Sequence, residues 1–166
     1  MTRDTYIRMT DATRKIVSRL PGGASALHVP TYVCAAAYIA ALFTLMLRQD
    51  VRLIPTLLVP AACFALVTAL RPLINRQRPY DRFDAPPVGN YLRGKGKSMP
   101  SRHTASAAAI AFAVIYAFPS AALGAAMLLL CALIAALRIL SGQHYPGDVL
   151  AALAISAVVS LIGYTL

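Results

Sequence analysis

Four nearly unbroken apolar runs, Val29–Leu47, Val51–Leu70, Ala121–Leu140 and Asp148–Leu166, dictate what this chain can fold into. The hydrocarbon core of a bilayer is about 30 Å thick, and roughly 20 helical residues cross it. Lipid offers no hydrogen bonds, so a run of that length must satisfy its own backbone and is expected to be a helix. A fifth run, Thr104–Phe118, is shorter. Pro119 closes it early, and a start at Ser101 adds one turn, which places its first turn in the headgroup region or a polar cavity. The expected fold class is all-α: an integral membrane bundle of about five transmembrane helices over 29–166, in one domain spanning 1–166. Pro55 and Pro60 lie inside the second run. In a bundle, neighbouring side chains can satisfy the carbonyls these prolines free. Small residues, mostly Ala, dominate all five runs and allow close helix packing.

Composition agrees. With 58% hydrophobic and 13% charged residues, the 166-residue chain carries more apolar surface than a soluble fold of its size can bury. A net charge of +10 would ordinarily raise nucleic acid as a partner, but the basic residues avoid the apolar runs and gather in a few polar segments. That distribution suits a membrane surface or an anionic substrate, and no nucleic-acid partner is expected. Cys34, Cys63 and Cys131 each sit within an apolar run without metal-ligand spacing, so neither a disulfide nor a zinc site is expected. The first apolar run begins only near Val29, which argues against a cleaved signal peptide.

Ahead of the first run, over 1–24, Met9, Ala12, Ile16 and Leu20 recur at helical spacing while Arg8, Lys15 and Arg19 take other faces. Asp4 with Arg8 and Asp11 with Lys15 add favourable pairs one turn apart. The segment reads as an amphipathic helix lying on the membrane surface.

Five spans place the N-terminal helix, the segment from Arg71 to Arg102 and the loop from Ser141 to Gly147 on one face. An Arg costs about 2.5 to 3.5 kcal/mol at the centre of a membrane helix, so Arg71, Arg78 and Arg138 belong at span ends, where they can meet around an anion. A lone Arg at a span end usually snorkels; three converging on one face suit a phosphate, to which each guanidinium offers paired donors. Pro100-Ser101-Arg102-His103 opens the short span, where free N–H groups and the helix dipole favour an anion. Ser101 taken alone reads equally well as a simple N-cap. His103 is placed to donate a proton to a departing oxygen. Asp148 follows His144 by four residues, within the first turn of the last span. Its carboxylate can accept an N–H from one imidazole nitrogen and leave the other free to attack phosphorus. His28 has no such neighbours and reads as idle. The Gly-rich basic loop Gly89–Gly96 fits a solvated connector slightly better than a lid over a headgroup.

These blocks resemble the three-part signature of the type 2 phosphatidic acid phosphatase (PAP2) superfamily: Lys-x6-Arg-Pro, Pro-Ser-Gly-His and Ser-Arg-x5-His-x3-Asp. Nine positions between Arg71 and Asp148 agree, counting Arg71 for Lys. The resemblance implies a small bacterial-type membrane lipid-phosphate phosphatase of the inner or plasma membrane that works without a metal or other cofactor, through a phosphohistidine on His144. Carried onto matching positions, it implies that Arg71, Arg78, Ser101, Arg102 and Arg138 hold the phosphate, His103 protonates the leaving oxygen and Asp148 orients His144. Its implied partners are a lipid phosphate substrate, of phosphatidylglycerophosphate, phosphatidate or polyprenyl diphosphate type, and the surrounding membrane lipids. Three positions depart from the pattern: Arg71 stands for Lys, Arg102 for Gly and Leu137 for Ser. Arg102 is the largest change, because Gly permits close backbone approach while Arg brings a Cβ and another charge. The family usually has six spans, and the N-terminal helix stands where the first would be.

Two other readings belong beside this one. A catalytically inactive lipid-phosphate-binding scaffold would be expected to lack one of His103, His144 or Asp148. The vanadium haloperoxidases share the phosphate-like site but are soluble and longer. Orientation is opposed by two arguments: the basic residues crowd the His144 face and turn it to the cytoplasm, whereas the resemblance implies the other side.

Overall fold

The computed structural model describes residues 1–94 and 97–165; Lys95 and Gly96 of the basic loop, and Leu166 at the end of the last run, lie outside the described residues. Seven α-helices and one 3-10 turn follow one another, and no strand occurs among the described residues. The helices are α1 (Arg3–Val17), α2 (Val29–Leu47), α3 (Leu53–Ile74), α4 (Pro79–Arg82), α5 (Arg102–Ala117), α6 (Ala121–Leu140) and α7 (Pro146–Thr165), with the 3-10 turn at Gly23–His28 leading into α2. Four of them, α2, α3, α6 and α7, are long and apolar enough to cross a membrane. Large apolar side chains such as Ile39, Phe43, Leu58, Leu129, Leu150 and Leu161 point outward from these four, as lipid-facing residues do.

The fifth apolar helix, α5, is the centre of the bundle. Its 16 residues span about 24 Å at about 1.5 Å each, less than a hydrocarbon core. It packs against α2, α3, α6 and α7. Alanines on several faces of it are buried at once: Ala107, Ala108 and Ala111 join Cys34, Met127, Cys131 and Ile134, whereas Ala105 and Ala109 join Cys63, Val67 and Ala152. Side chains this small let four neighbours approach one axis. On the far side of α5, Ser156 Oγ donates to the Ala105 carbonyl at 3.0 Å and lies 3.4 Å from Cys63 Sγ, tying α5, α7 and α3 together.

The prolines of α3 are accommodated in the way a bundle allows. Pro55 falls in the first turn, where its missing N–H has no helical partner to lose. Pro60 leaves the Thr56 carbonyl without its usual donor, and the Tyr38 hydroxyl of α2 donates to that oxygen at 2.9 Å. α3 runs on past Leu70 to Ile74 and stops at Asn75, whose φ of 43° is the left-handed conformation that ends many helices. The overrun carries Arg71 into its last turn, buried.

The N-terminal helix departs from the expected picture in three ways. It ends at Val17 rather than near residue 24. Its buried face is Tyr6, Thr10, Thr13 and Val17, while Ala12, Ile16 and Leu20 remain exposed, so the apolar stripe points away from the protein. Thr10 and Thr13 bury readily because each hydroxyl closes on a carbonyl of the preceding turn, Tyr6 at 3.0 Å and Met9 at 2.8 Å. Asp11 pairs with Arg14 at 2.8 Å, rather than with the expected Lys15.

Candidate active site

Where α3 ends, the chain turns back beneath the N-terminal end of α5, and two arginines stitch the return. Arg71 donates through Nη1 to the Pro100 carbonyl at 3.2 Å and through Nη2 to the Lys97 carbonyl. The Arg76 carbonyl accepts from Ser98 N at 2.7 Å. Ser101 occupies the cap position of α5, yet its hydroxyl makes no cap bond; it lies 3.0 Å from Thr104 Oγ1, and its backbone N–H donates to the Asp148 carbonyl at 3.1 Å. Across the bundle, the chain leaving α6 folds over its own last turn: Gln143 N and His144 N both donate to the Arg138 carbonyl, at 3.2 and 3.1 Å. Gly142 makes this turn possible with a φ of +76°, and a Cβ there would lie 2.7 Å from the Tyr6 hydroxyl.

Asp148 has no exposed surface, and protein groups hold both of its oxygens. Oδ1 accepts from Arg76 Nη1 at 2.8 Å; Oδ2 accepts from Ser98 Oγ at 2.5 Å and from Tyr145 N at 3.0 Å. His144 Nδ1 lies 3.6 Å from the same Oδ2, an ion-pair distance longer than a hydrogen bond, and 3.5 Å from Ser98 Oγ. The carboxylate therefore faces one ring nitrogen and leaves Nε2 as the free one. Burial lowers the pKa of the His144 imidazole from its ordinary value, opposed by Asp148 and assisted by the positive charges of Arg78 and Arg71. A buried imidazole of this kind is neutral at pH 7 and keeps a lone pair.

Beside these residues opens a cavity of about 1080 Å³. Arg71, Arg78, Lys97, Arg102 and Arg138 all line it, together with His103, and no Asp or Glu among the described residues does. Arg138 donates to Gln143 Oε1 at 3.1 Å and to Thr31 Oγ1 at 3.4 Å, while its buried Nε has no partner among the described residues. An unpaired charged donor next to an open, carboxylate-free cavity is an invitation to an anion. His144, Asp148 and Ser101 do not line the cavity; His144 is 2% exposed and is preceded in the chain by Gln143, which does. Among the described residues no cluster of three His, Cys, Asp or Glu side chains could hold a metal ion.

The family follows from sequence matched across this region. A model of the PAP2 superfamily matches residues 52–166, more than half of the chain. The chain belongs to the PAP2 superfamily. By that membership it is a lipid phosphatase of the membrane. Its fold is shared with two solved structures: a transmembrane PAP2-type phosphatidylglycerolphosphate phosphatase from Bacillus subtilis, 20% identical with a TM-score of 0.70 over 98% of this chain and 84% of that one, and Aquifex aeolicus LpxE, 21% identical with a TM-score of 0.70 over 98% and 94%. No curated protein sequence matches.

Sequence reasoning misses several residues that the fold brings in. Arg76 is one basic residue among many in its segment, but it holds Asp148 and stacks 4.3 Å above the Tyr145 ring. Ser98, two residues before Pro100, carries no signal of its own. His28, idle by its sequence neighbours, lines the cavity through the 3-10 turn. Asn90, Tyr91 and Leu92 of the basic loop line it too. That part of the loop is anchored beside the cavity rather than simply solvated, with the Tyr91 ring 5.2 Å from that of Tyr80 and Gly94 N on Asp81 Oδ1 at 3.1 Å.

Proposed function

We propose that the chain hydrolyses the terminal phosphate of a membrane lipid phosphate or diphosphate without a metal, through a phosphohistidine. The phosphoryl group sits in the cavity against Arg71, Arg78 and Arg138, with Ser101 at the N-terminal end of α5. Nε2 of His144 attacks phosphorus. As the N–P bond forms and the bond to the lipid oxygen breaks, His103 gives its proton to that oxygen, and Asp148 stabilises the positive charge on the His144 ring. Water, losing a proton to His103, then attacks the phosphohistidine; inorganic phosphate leaves and both histidines return to their starting state. The arginines meet negative charge that spreads over the phosphoryl oxygens in each transfer, and they stabilise it without taking part in bond making.

The observation that carries the proposal is Asp148, fully buried, triply held, and directed at Nδ1 of a neutral buried histidine beside a cavity of arginines. Phosphate release from a lipid phosphate by the protein in detergent, with EDTA present, tests it. Activity is expected to persist with the chelator and to vanish in His144→Ala. Loss of activity with EDTA, or turnover that survives His144→Ala, overturns the mechanism; binding of phospholipid without turnover points instead to an inactive scaffold.

A further inference from the structure

A second hollow, of about 390 Å³, adjoins the basic cavity and has the opposite character. Cys34, Phe64, Ala107, Ile110 and Ile134 make its walls, and Thr31 and Ser106 are its only uncharged polar contributors among the described residues. Arg102 and His103 line both spaces. A lipid whose phosphoryl group occupies the basic cavity and whose chain lies in the apolar slot must therefore pass this pair of side chains. His103 meets the ester oxygen in the proposed hydrolysis, so Arg102, its neighbour, meets the next part of the leaving group.

Charge decides what that part is. A phosphate monoester carries about −1.5 to −2 charges at neutral pH, whereas the basic cavity presents five cations and no carboxylate among the described residues. Arg71 and Arg138 already give donors to protein oxygens, whereas Arg102 is exposed and makes no hydrogen bond or ion pair among the described residues. A cavity of about 1080 Å³ is also large for one phosphate, since spaces of about 300 to 1,000 Å³ hold whole drug-sized ligands.

We infer that Arg102 is a specificity-determining residue that binds a second phosphate, one carried on the leaving group, so that the preferred substrate is a lipid bearing two phosphates in series with the outer one removed. This rests on the proposed hydrolysis and adds the substrate class. The shared chemistry has two sources: a diphosphate, with the groups directly joined, and a phospholipid diester with a terminal monoester, separated by a short polyol.

The experiment measures kcat/KM of the wild type, Arg102→Gln and Arg102→Lys on a polyprenyl diphosphate, on phosphatidylglycerophosphate and on phosphatidate, the single-phosphate reference. Removing a charge-assisted hydrogen bond to the substrate changes affinity by about tenfold or more. Arg102→Gln is therefore expected to lower the ratio of two-phosphate to one-phosphate kcat/KM by at least about tenfold, chiefly through KM, and Arg102→Lys to restore part of it. The two-phosphate lipid on which the ratio falls identifies the spacing between phosphates. Equal losses on all three lipids would put Arg102 on the transferred phosphate and overturn the inference, as would no loss on any. No phosphate release by the wild type from any of the three defeats the proposed function itself, and the inference falls with it.

Discussion

Removing Arg76 should slow turnover while leaving substrate binding nearly intact. Its guanidinium reaches Asp148 Oδ1 at 2.8 Å; the carboxylate is wholly buried and the Arg76 side chain is 38% exposed. Deleting one partner of a fully buried ion pair costs about 3 to 5 kcal/mol, because a charge is left without compensation. Here water reaches the arginine, and Asp148 retains Ser98 and the Tyr145 N–H, so about 2 kcal/mol is the reasonable share for Arg76→Ala. If that loss is expressed in the orientation of Asp148 toward His144, kcat falls about thirtyfold. Arg76 does not line the cavity, so KM for a lipid phosphate should change by less than about threefold. The carboxylate, no longer shared with a guanidinium, attracts the imidazole proton more strongly, and the acid limb of the kcat profile should move to higher pH. Arg76→Lys keeps the charge but loses the planar stack over Tyr145, so it should recover only part of the rate. Steady-state kinetics in detergent across pH, with thermal unfolding measured alongside, read all of these. A raised KM with kcat intact would make Arg76 a substrate contact and refute the reasoning; so would a Tm lowered without any change in rate or pH profile.

The same geometry dictates three further outcomes. The acid limb of kcat/KM should lie below pH 6.5, because burial disfavours the imidazolium of His144 and the neutral, attacking form survives to lower pH; Arg78→Gln removes a charge that assists this and should move the limb upward, as a pH-rate series would record. Gly163→Ala puts a Cβ 2.5 Å from Val59 Cγ2 where α7 crosses α3, which should cost about 1 to 3 kcal/mol in thermal unfolding, and Val59→Ala in the same chain should return most of it. Tyr6→Phe removes a buried hydroxyl that donates to the Gly142 carbonyl at 3.3 Å and the Ala85 carbonyl at 3.2 Å; stability should drop by about 1 to 2 kcal/mol, and a fall in kcat beside it would register the displacement of the turn that carries His144.

The parts of this molecule legible in its sequence are those for which the bilayer or local spacing sets the rule. Hydrocarbon thickness fixes the length of a span, so four long helices can be placed within a few residues of where they lie. The shortness of α5 is visible as well, but not its position at the centre of the bundle. Alanine facing lipid and alanine facing four helices have the same composition, and only the packing distinguishes them. His144 and Asp148 are four residues apart, and the fold keeps their side chains together. The other side chains that hold Asp148 are remote: Arg76 is 72 residues away and Ser98 is 50. Neither has periodicity or spacing that points to a carboxylate on another helix. The buried face of α1 escapes sequence reasoning for a different reason. Threonine counts as polar in any hydropathy pattern, yet Thr10 and Thr13 return their hydroxyls to the helix backbone and are buried. That leaves α1 with two unlike faces, one held against the turn bearing His144 and the other carrying Ala12 and Ile16 outward. Laid on a membrane surface, such a helix would tie the position of the turn bearing His144 to that of the surface itself, a coupling that an amphipathic pattern, which registers one face only, has no means to express.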